Sequence, residues 1–244
     1  MTEKRTKRTG RGSAARPNPA EMRRTVVIEN VAPTMDCGRY PVKREQGAMV
    51  EVSADIFKEG HDVLVAFLRY RESGRREWRE SPMRFVDNDR WAGSVPLEAN
   101  ARYELMIEAL ADPFRSWRAD LDKRVAAGQD VASELLEGAA LVEAAAARAA
   151  GGRGGQDDAA SLRTYATRLG GGDPGDAVSA AADDVLATLM DSYLDRGDAT
   201  WCERPFEIVA DRERARFAAW YEFFPRSAGE NGRHGTFKDA ERQL

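Results

Sequence analysis

Residues 49–57 read Met49-Val50-Glu51-Val52-Ser53-Ala54-Asp55-Ile56-Phe57, and from Val50 to Ile56 every second residue is apolar. Because successive side chains of a β-strand point to opposite faces, this alternation predicts a strand with one buried face. The next run, Asp62–Tyr70, is apolar at both sets of positions, which is typical of a central strand that is covered on both faces. The two runs indicate that the chain is built around a sheet.

Four further runs of strand length lie around this pair, with the turn-forming cluster Asp87-Asn88-Asp89 among them. They are Thr25–Val31, Glu77–Phe85, Arg90–Leu97 and Ala101–Leu110. In the last run, apolar residues alternate with Glu104 and Glu108, which predicts that the two glutamates share the polar face. Six strands separated by turn signals predict an antiparallel β-sandwich of immunoglobulin-like size.

A helical region follows from Asp112-Pro113 onwards. Its four predicted helices are Phe114–Ala127, Asp130–Ala150, Asp157–Leu169 and Asp176–Arg196, and glycine-rich connections separate them. The last helix carries a wide apolar stripe, made of Val185, Leu186, Leu189, Met190, Tyr193 and Leu194. We expect residues 112–199 to form a small up-and-down helical bundle.

Strand character returns at Pro205–Ala210, which predicts a last strand that rejoins the sandwich. The helices would then be an insertion into a β domain made of residues 25–111 and 200–213. A simple tandem of a β domain and a helical domain is the alternative arrangement.

The final segment, residues 214–244, has the pattern of a βα unit. Ala218–Phe224 is apolar on both alternate sets and ends at Pro225, which predicts a strand buried on both faces. Thr236 then supplies an N-cap hydroxyl with Asp239 three residues later, which predicts the start of a helix. Since a buried parallel strand needs a parallel neighbour, we expect this unit to belong to a larger domain that the chain does not include.

Composition excludes several classes of function. The chain is 42% hydrophobic and 32% charged, and it has no apolar run of about 20 residues, so we expect no membrane partner. Cys37, Cys202, His61 and His234 do not have the spacing of metal ligands. We therefore expect no metal and no cofactor, with reduced thiols and a cytoplasmic location.

Residues 1–24 form a basic leader, with eight Lys or Arg residues against two Glu residues. The leader has almost no large apolar residues, so we expect it to be disordered. It also lacks aromatic residues that could stack on bases, so we predict no nucleic-acid partner. An arm that binds nucleic acid or an anionic surface is the alternative.

Two segments near the carboxyl end resemble a known family. Trp220–Ser227 and His234–Glu241 are similar to the start of the catalytic barrel of the α-1,4-glucan:maltose-1-phosphate maltosyltransferases. Ile28–Pro33 and Asp36–Arg44 resemble the opening domain of these enzymes. Members of the family are α-amylase-like enzymes that transfer maltosyl units from α-maltose 1-phosphate to the non-reducing end of α-1,4-glucans. The resemblance covers roughly Arg24–Leu244.

The resemblance implies an α+β fold: an immunoglobulin-like antiparallel β-sandwich with an inserted α-helical bundle, ending in the first βα unit of a missing (β/α)8 barrel. In the family the catalytic carboxylates lie on later barrel strands, so no catalytic residue is assigned and the chain is expected to be inactive alone. The full enzyme is expected to be a homodimer and to bind α-glucan and maltose 1-phosphate through the missing barrel. The apolar stripe is one place for the subunit contact, although packing within its own bundle is its simpler use. A stand-alone module that binds α-glucan or another protein is the alternative.

One cluster has the residue types of a substrate-binding site, namely Arg39, Tyr40, Lys43 and Arg44. Cationic groups suit a phosphate or sugar hydroxyls, and a tyrosine ring can stack on a sugar. The alternative, which we favour, is a clamp between domains in which these cations pair with acids of a neighbouring domain.

Two other sets of residues have a chemical and a structural interpretation. Trp78, Trp91 and Trp117 form either a platform for sugar stacking or parts of the core. The neighbouring carboxylates Asp55 with Glu59 and Asp183 with Asp184 are predicted to be solvated surface groups, because neither pair has an acid or base partner beside it.

Overall fold

The computed structural model describes residues 26–152, 155–217, 222–230 and 232–243. In these ranges it contains nine strands and six α-helices. The strands are β1 (Val26–Ala32), β2 (Val42–Glu45), β3 (Met49–Lys58), β4 (Leu64–Glu72), β5 (Arg79–Asp87), β6 (Arg90–Pro96), β7 (Arg102–Ala111), β8 (Thr200–Trp201) and β9 (Phe206–Asp211). The helices are α1 (Pro113–Ala126), α2 (Ala132–Gly151), α3 (Gln156–Gly170), α4 (Pro174–Ala181), α5 (Asp184–Ser192) and α6 (Phe237–Glu241).

Two predictions fall partly or wholly outside the described residues. The basic leader, residues 1–24, lies outside them, as do Ala218 to Tyr221 of the strand predicted at Ala218–Phe224. The described remainder of that segment, residues 222–224, has no strand structure and leads into a 3-10 turn at Pro225–Ala228. The predicted helix start is confirmed, because Thr236 and Asp239 form a capping box at the beginning of α6.

The strands form one sheet in the order β1-β3-β6-β5-β4-β7-β9-β2, with β8 paired to β7. Neighbours are antiparallel except β2, which is parallel to β9. β5 joins the two halves of the sheet, because Arg79–Met83 pairs with β4 and Arg84–Asp87 pairs with β6. The predicted mixture of α and β structure with a mainly antiparallel sheet is confirmed. The sheet is continuous and curled, and its division into two packed layers stays a prediction.

The concave side of the curled sheet holds an apolar core. Its side chains include Val52 and Ile56 of β3, Leu68 of β4 and Ile107 of β7, all of them buried. The alternation predicted from residues 49–57 is therefore confirmed, since Val50, Val52, Ala54 and Ile56 are buried. Burial of each large aliphatic side chain contributes about 1.5–3 kcal/mol, so this core is the main source of the sheet's stability.

Two short strands were not predicted. β2 lies beside β9 at one end of the sheet, and only Val42 among its four residues is buried. β8 consists of two residues, with Trp201 opposite Glu108 and Thr200 opposite Ala109. Neither segment is long enough to show an alternating pattern, and both depend on a neighbouring strand for their hydrogen bonds.

Helices α1 to α5 lie between β7 and β8 in the chain and have a core of their own. Trp117 of α1 is buried against α2, and its Nε1 donates a hydrogen bond to the carbonyl of Glu134 at 2.6 Å. A β-carbon at Gly138 would come within 2.0 Å of the Trp117 ring, so the absence of a side chain at Gly138 permits this packing. None of the helices among the described residues has both the length and the apolarity needed to cross a membrane.

The prediction of a single helix at Asp176–Arg196 is wrong, because the segment forms two helices. α4 ends at Ala181 and α5 begins at Asp184, and α5 ends at Ser192, four residues before the predicted end. Asp183 causes the break: its carboxylate caps α5 by accepting the N–H of Val185 at 2.9 Å. The predicted apolar stripe is only partly buried. Leu186 and Met190 are buried in the helical core, whereas Val185 is 59% exposed.

The passage from β7 into α1 is fixed by a group of polar contacts that we call the first junction, made of Val63, Asp112, Arg115 and Ser116. Asp112 caps α1 by accepting the N–H of Arg115 at 2.9 Å, and its own N–H donates to the carbonyl of Val63 at 2.8 Å. Ser116 Oγ donates to the carbonyl of Asp112 at 2.7 Å and accepts the N–H of Val63 at 2.8 Å. Burial raises the pKa of the Asp112 carboxyl above its ordinary value.

Candidate functional site

Two of the predicted binding residues lie on a tight turn in front of β2. Met35 and Tyr40 form an isolated bridge across this turn, and Asp36 has a positive φ of 50°. The Arg39 guanidinium carbon lies 5.3 Å from the centre of the Tyr40 ring and 3.7 Å separates Arg39 Nη1 from Asp36 Oδ2. Both Arg39 and Tyr40 are exposed, so a cation and an aromatic ring are presented together to solvent.

The other two predicted residues lie on β2 and are separated by the pleat. Lys43 and Arg44 are consecutive, so their side chains leave opposite faces of the strand. Lys43 is exposed, whereas Arg44 is half-buried and its Nη1 donates to the carbonyl of Lys43 at 2.7 Å. The residue of β2 that forms an ion pair with the segment after β9 is Glu45, which was not predicted. Its Oε1 lies 3.5 Å from Arg216 Nε. The four residues are neighbours in space as two pairs, and their role in binding or clamping stays a prediction.

In each pair of neighbouring carboxylates, namely Asp55 with Glu59 and Asp183 with Asp184, the first residue is held by other side chains. Asp55 lies 2.7 Å from Arg90 and accepts a hydrogen bond from Asn30 Nδ2 at 2.7 Å. Asp183 accepts the hydroxyl of Tyr165 at 2.6 Å, and this bond together with the N–H of Val185 lowers the pKa of Asp183. Glu59 and Asp184 are exposed. Neither pair has the arrangement of two carboxyl groups facing each other across a reaction site.

The three tryptophans do not share a surface. Trp91 is buried in the sheet core, where its Nε1 donates to the carbonyl of Ile56 at 3.1 Å. Trp117 is buried in the helical core. Trp78 is half-buried beside β5, next to a surface pocket. A common platform for sugar stacking is therefore excluded, and only Trp78 is accessible among the three.

The sequence-based interpretation missed a group of charges around the buried Glu108 that we call the second junction, made of Arg69, Glu80, Glu108 and Arg196. Both arginines bind the same atom, Glu108 Oε2, at 2.9 Å from Arg69 Nε and 2.7 Å from Arg196 Nη1. They also bind Glu80 Oε2, at 2.8 and 3.2 Å. Two positive charges thus neutralise two negative charges on the outer face of β4, β5 and β7.

Glu108 shares the face of Glu104, as predicted, but it is almost fully buried because this part of the face is covered. The segment after α5 covers Glu108. Arg196 of this segment binds the Glu108 carboxylate, and Trp201 of β8 pairs directly opposite Glu108. The guanidinium carbon of Arg196 also lies 4.3 Å from the centre of the Phe67 ring. A signal was present in the sequence, because Arg69 interrupts a predicted strand that is otherwise apolar on both faces and therefore needs a carboxylate nearby.

The described residues hold no group of three or more His, Cys, Asp or Glu side chains that could bind a metal ion. Cys37 is exposed and Cys202 is buried, and neither is in a disulfide. Burial raises the pKa of the Cys202 thiol, and the N–H of Ile107 donates to its Sγ at 3.3 Å. The Cys202 thiol is thus protonated at neutral pH and acts as part of the core.

Aromatic side chains are exposed along the segment that follows β9. Phe217 is 89% exposed, Phe224 is 73% exposed and Phe237 is 85% exposed. Each of these three rings is therefore available for contact with another surface. We call these three residues the C-terminal aromatic surface.

Comparison with known proteins identifies the family of this chain. Residues 24–212 match the profile of the family described as "Alpha-1,4-glucan:maltose-1-phosphate maltosyltransferase, domain N/S". The match covers the curled sheet and all five helices between β7 and β8.

Several curated relatives carry the same enzyme name. The α-1,4-glucan:maltose-1-phosphate maltosyltransferase of Myxococcus xanthus is 50% identical over 222 residues, which are 89% of this chain and 33% of the relative. The enzymes of Chlorobaculum tepidum and Rhodospirillum rubrum are 40% and 36% identical, over 93% and 90% of this chain. The chain spans about one third of the length of these three relatives. By its sequence match and its similarity to these relatives, the chain belongs to the α-1,4-glucan:maltose-1-phosphate maltosyltransferase family, of which it carries the N/S domain.

Proposed function

We propose that this chain is the N-terminal portion of an enzyme that transfers maltosyl units from α-maltose 1-phosphate to the non-reducing end of α-1,4-glucans, in the biosynthesis of α-glucan or glycogen. Its own part in that enzyme is assembly. The observation that carries the proposal is the C-terminal aromatic surface, since Phe217, Phe224 and Phe237 present large apolar area directly after the residues that match the family profile. In the proposed enzyme this area packs against the catalytic barrel.

The two junctions lie at the two ends of the proposed helical insert. Residues 25–111 with 200–213 form the β domain, residues 112–199 form the helical insert, and residues 214–244 begin the barrel. The helical insert is the proposed contact between two copies in a homodimer, and Val185 with Leu136 supports this because both are exposed apolar side chains of the insert. The cytoplasm is the proposed compartment, in keeping with two free cysteines.

The proposed reaction retains the configuration at the anomeric carbon, and such reactions need a carboxylate nucleophile opposite a carboxylic acid. In this proposal the catalytic barrel of the whole enzyme supplies both groups and binds maltose 1-phosphate and the α-glucan. The residues of this chain keep the barrel in place and form the subunit contact.

A chimeric enzyme tests the proposal. Residues 1–244 are joined to the part of the Myxococcus xanthus relative that follows its matched segment, and phosphate release from α-maltose 1-phosphate is measured with maltohexaose as acceptor. We expect the chimera to release phosphate and the chain alone to release none. The 50% identity between the two proteins makes a working contact between the parts a fair expectation.

Matched variants of the chimera test the contact itself. Phe217→Ser combined with Phe224→Ser is expected to reduce phosphate release, because the two rings lose their place against the barrel. Phe85→Ser is the control, since Phe85 is 57% exposed but lies on β5, away from the final segment. A folded chimera without phosphate release, or a chain that releases phosphate by itself, contradicts the proposal.

A stand-alone module that binds α-glucan or a protein is the second candidate. The observation in its favour is the accessible ring of Trp78 beside a surface pocket. This candidate predicts that the chain binds α-glucan or a protein partner while its fusion to the Myxococcus xanthus segment gives no activity.

A further inference from the structure

A surface pocket of about 360 Å³ lies between the β4–β5 loop and the adjoining ends of β4 and β7. Trp78 and Arg71 form part of its wall, together with Tyr70, Tyr103 and Arg79. Its volume is at the lower end of the range of about 300–1,000 Å³ that is common for small-molecule pockets. Of the residues for which the sequence suggested contact with a sugar, Trp78 lines the pocket, whereas Arg39, Tyr40, Lys43 and Arg44 do not.

Trp78 is held in place as a rigid platform. The guanidinium carbon of Arg71 lies 4.3 Å from the centre of the Trp78 ring. Arg71 is itself fixed, because its Nε and Nη2 both donate to Glu104 Oε2, at 2.8 and 2.6 Å. Arg71 and Glu104 are directly opposite in the register of β4 and β7, so the sheet sets their positions. A fixed aromatic ring binds a ligand with less loss of side-chain entropy than a mobile one.

The charges around the pocket give no positive excess, because Glu77 lines it in addition to the acids that pair with its arginines. Each of its three arginines has a carboxylate partner: the pairs are Arg71–Glu104, Arg75–Glu72 and Arg79–Glu98, at 2.6, 3.6 and 2.7 Å. The pocket therefore has no strong excess of positive charge that would select an anion. It offers many hydrogen-bond donors and acceptors of both kinds beside an aromatic ring.

A neutral sugar has the matching chemistry. A pyranose ring has apolar C–H faces that pack on an indole and a rim of hydroxyl groups that both donate and accept hydrogen bonds. Guanidinium groups can donate to the sugar oxygens, and carboxylates can accept from the sugar hydroxyls. The pocket volume allows a mono- or disaccharide unit of a longer chain to enter.

We propose that this pocket is a binding site for a segment of an α-1,4-linked glucose chain, with Trp78 as the stacking platform. The pocket chemistry points to a neutral saccharide, and the choice of the α-1,4-linked glucan rests on the proposed function. The site holds the polymer on the N-terminal domains of the enzyme. This binding is separate from the bond-forming chemistry, so it can be measured on the chain itself.

Titration calorimetry of the full 244-residue chain with maltoheptaose tests the proposal, with cellohexaose as the sugar of the wrong linkage. We expect maltoheptaose to bind and Trp78→Ala to weaken its affinity about tenfold through loss of the stacked ring. Trp78→Phe should keep most of the affinity, since an aromatic face remains. Phe85→Ala is the matched control, an exposed aromatic residue outside the pocket that should leave the affinity unchanged.

Because Trp78→Ala could disturb the fold, Arg79→Gln supplies a second test. The Arg79 side chain is 58% exposed, so its replacement is compatible with folding, and it should weaken maltoheptaose binding a few-fold. Three results would overturn the proposal: no maltoheptaose binding by the wild-type chain, equal affinity in folded Trp78→Ala, or equal binding of cellohexaose. A chimera that releases phosphate while the chain fails to bind maltoheptaose would refute this site alone and leave the proposed function intact.

Discussion

The helical segment is attached to the sheet through two junctions that differ in chemistry. The first junction uses a helix cap and backbone hydrogen bonds among residues close to the start of α1, with Val63 as its one distant member. The second uses side-chain charges grouped around the buried Glu108, and it joins Arg196 to Glu108, 88 residues earlier in the chain. A junction between residues close in sequence can form when the local turn folds. A junction between residues far apart in sequence can form only when the sheet is assembled.

The difference also decides which junction tolerates change. Loss of a helix cap costs about 0.5–2 kcal/mol, because water can replace part of the lost bonding. Removal of one partner from a buried charge group costs about 3–5 kcal/mol, because the remaining charge is left without compensation. The second junction should therefore be the more sensitive of the two.

Glu108→Ala should have the largest effect on the free energy of unfolding, a loss of up to about 3 kcal/mol measured by urea denaturation, because the two arginines left behind are about a quarter exposed. It leaves Arg69 and Arg196 with only Glu80 as partner. Glu104→Ala on the same strand is the matched control: its ion pair with Arg71 is about one quarter exposed, and its loss should cost about 1 kcal/mol or less. Equal losses in the two variants would show that burial of the charge does not decide the strength of the junction.

Ser116→Ala should have the next largest effect, a loss of about 1–2 kcal/mol in the same measurement. The serine hydroxyl accepts the N–H of Val63 and donates to the carbonyl of Asp112, so its removal leaves two backbone groups without this partner. Ser133→Ala is a suitable control, since Ser133 is exposed and its hydroxyl donates to a side chain, that of Glu134, and not to the backbone. A loss for Ser116→Ala as large as that for Glu108→Ala would remove the contrast between the junctions.

Asp112→Asn should have a smaller effect that depends on pH. Burial raises the folded-state pKa of Asp112 above its ordinary value of 3.8, so the wild-type chain loses stability as pH rises through the interval between the unfolded and folded pKa values. Asparagine can still cap α1 but does not ionise. We therefore expect the difference in unfolding free energy to shift in favour of Asp112→Asn from pH 3 to pH 7. A shift in the opposite direction would mean that the Arg115 charge outweighs burial.

Asp191→Asn should have the smallest effect, below about 1 kcal/mol, because it leaves Arg115 in place at 3.3 Å from the buried Asp112. Arg115 binds Asp191 of α5 through a bidentate ion pair at 2.8 and 2.9 Å, but both side chains are about half exposed. We expect the small loss to disappear in 1 M salt, because salt screens exposed charges. A loss that persists at high salt would show that the pair does more than link two solvated surfaces.

Local patterns predicted much of this fold. The alternation at Val50–Ile56 and the capping residues at Thr236 and Asp239 each depend on neighbours in sequence, and both predictions are confirmed. The burial of Glu108 was missed because alternation identifies the two faces of a strand without showing what covers each face. The break at Asp183 was missed for a similar reason, since the apolar spacing continues across it and the hydroxyl of Tyr165 comes from another helix.

The candidate site was less predictable than the fold. Arg39 and Tyr40 do lie together, but Lys43 and Arg44 point to opposite faces, which follows only once their segment is known to be a strand. The pocket at Trp78 depends on the pairing of Arg71 with Glu104, and these residues are 33 positions apart in the chain. Contacts between residues so far apart in sequence are set by the register of the sheet, which the composition of each strand does not reveal.

The position of Arg196 has a consequence for the order of folding. Its partners come from three separate strands, so the last bond between insert and sheet can form only after β4, β5 and β7 are assembled. We expect the five helices to acquire hydrogen-exchange protection as a group that is still loosely tethered, and to dock late, once the sheet is complete. Pulse-labelling during refolding would contradict this order if the amides of Arg196 and Trp201 were protected before those of β4 and β7.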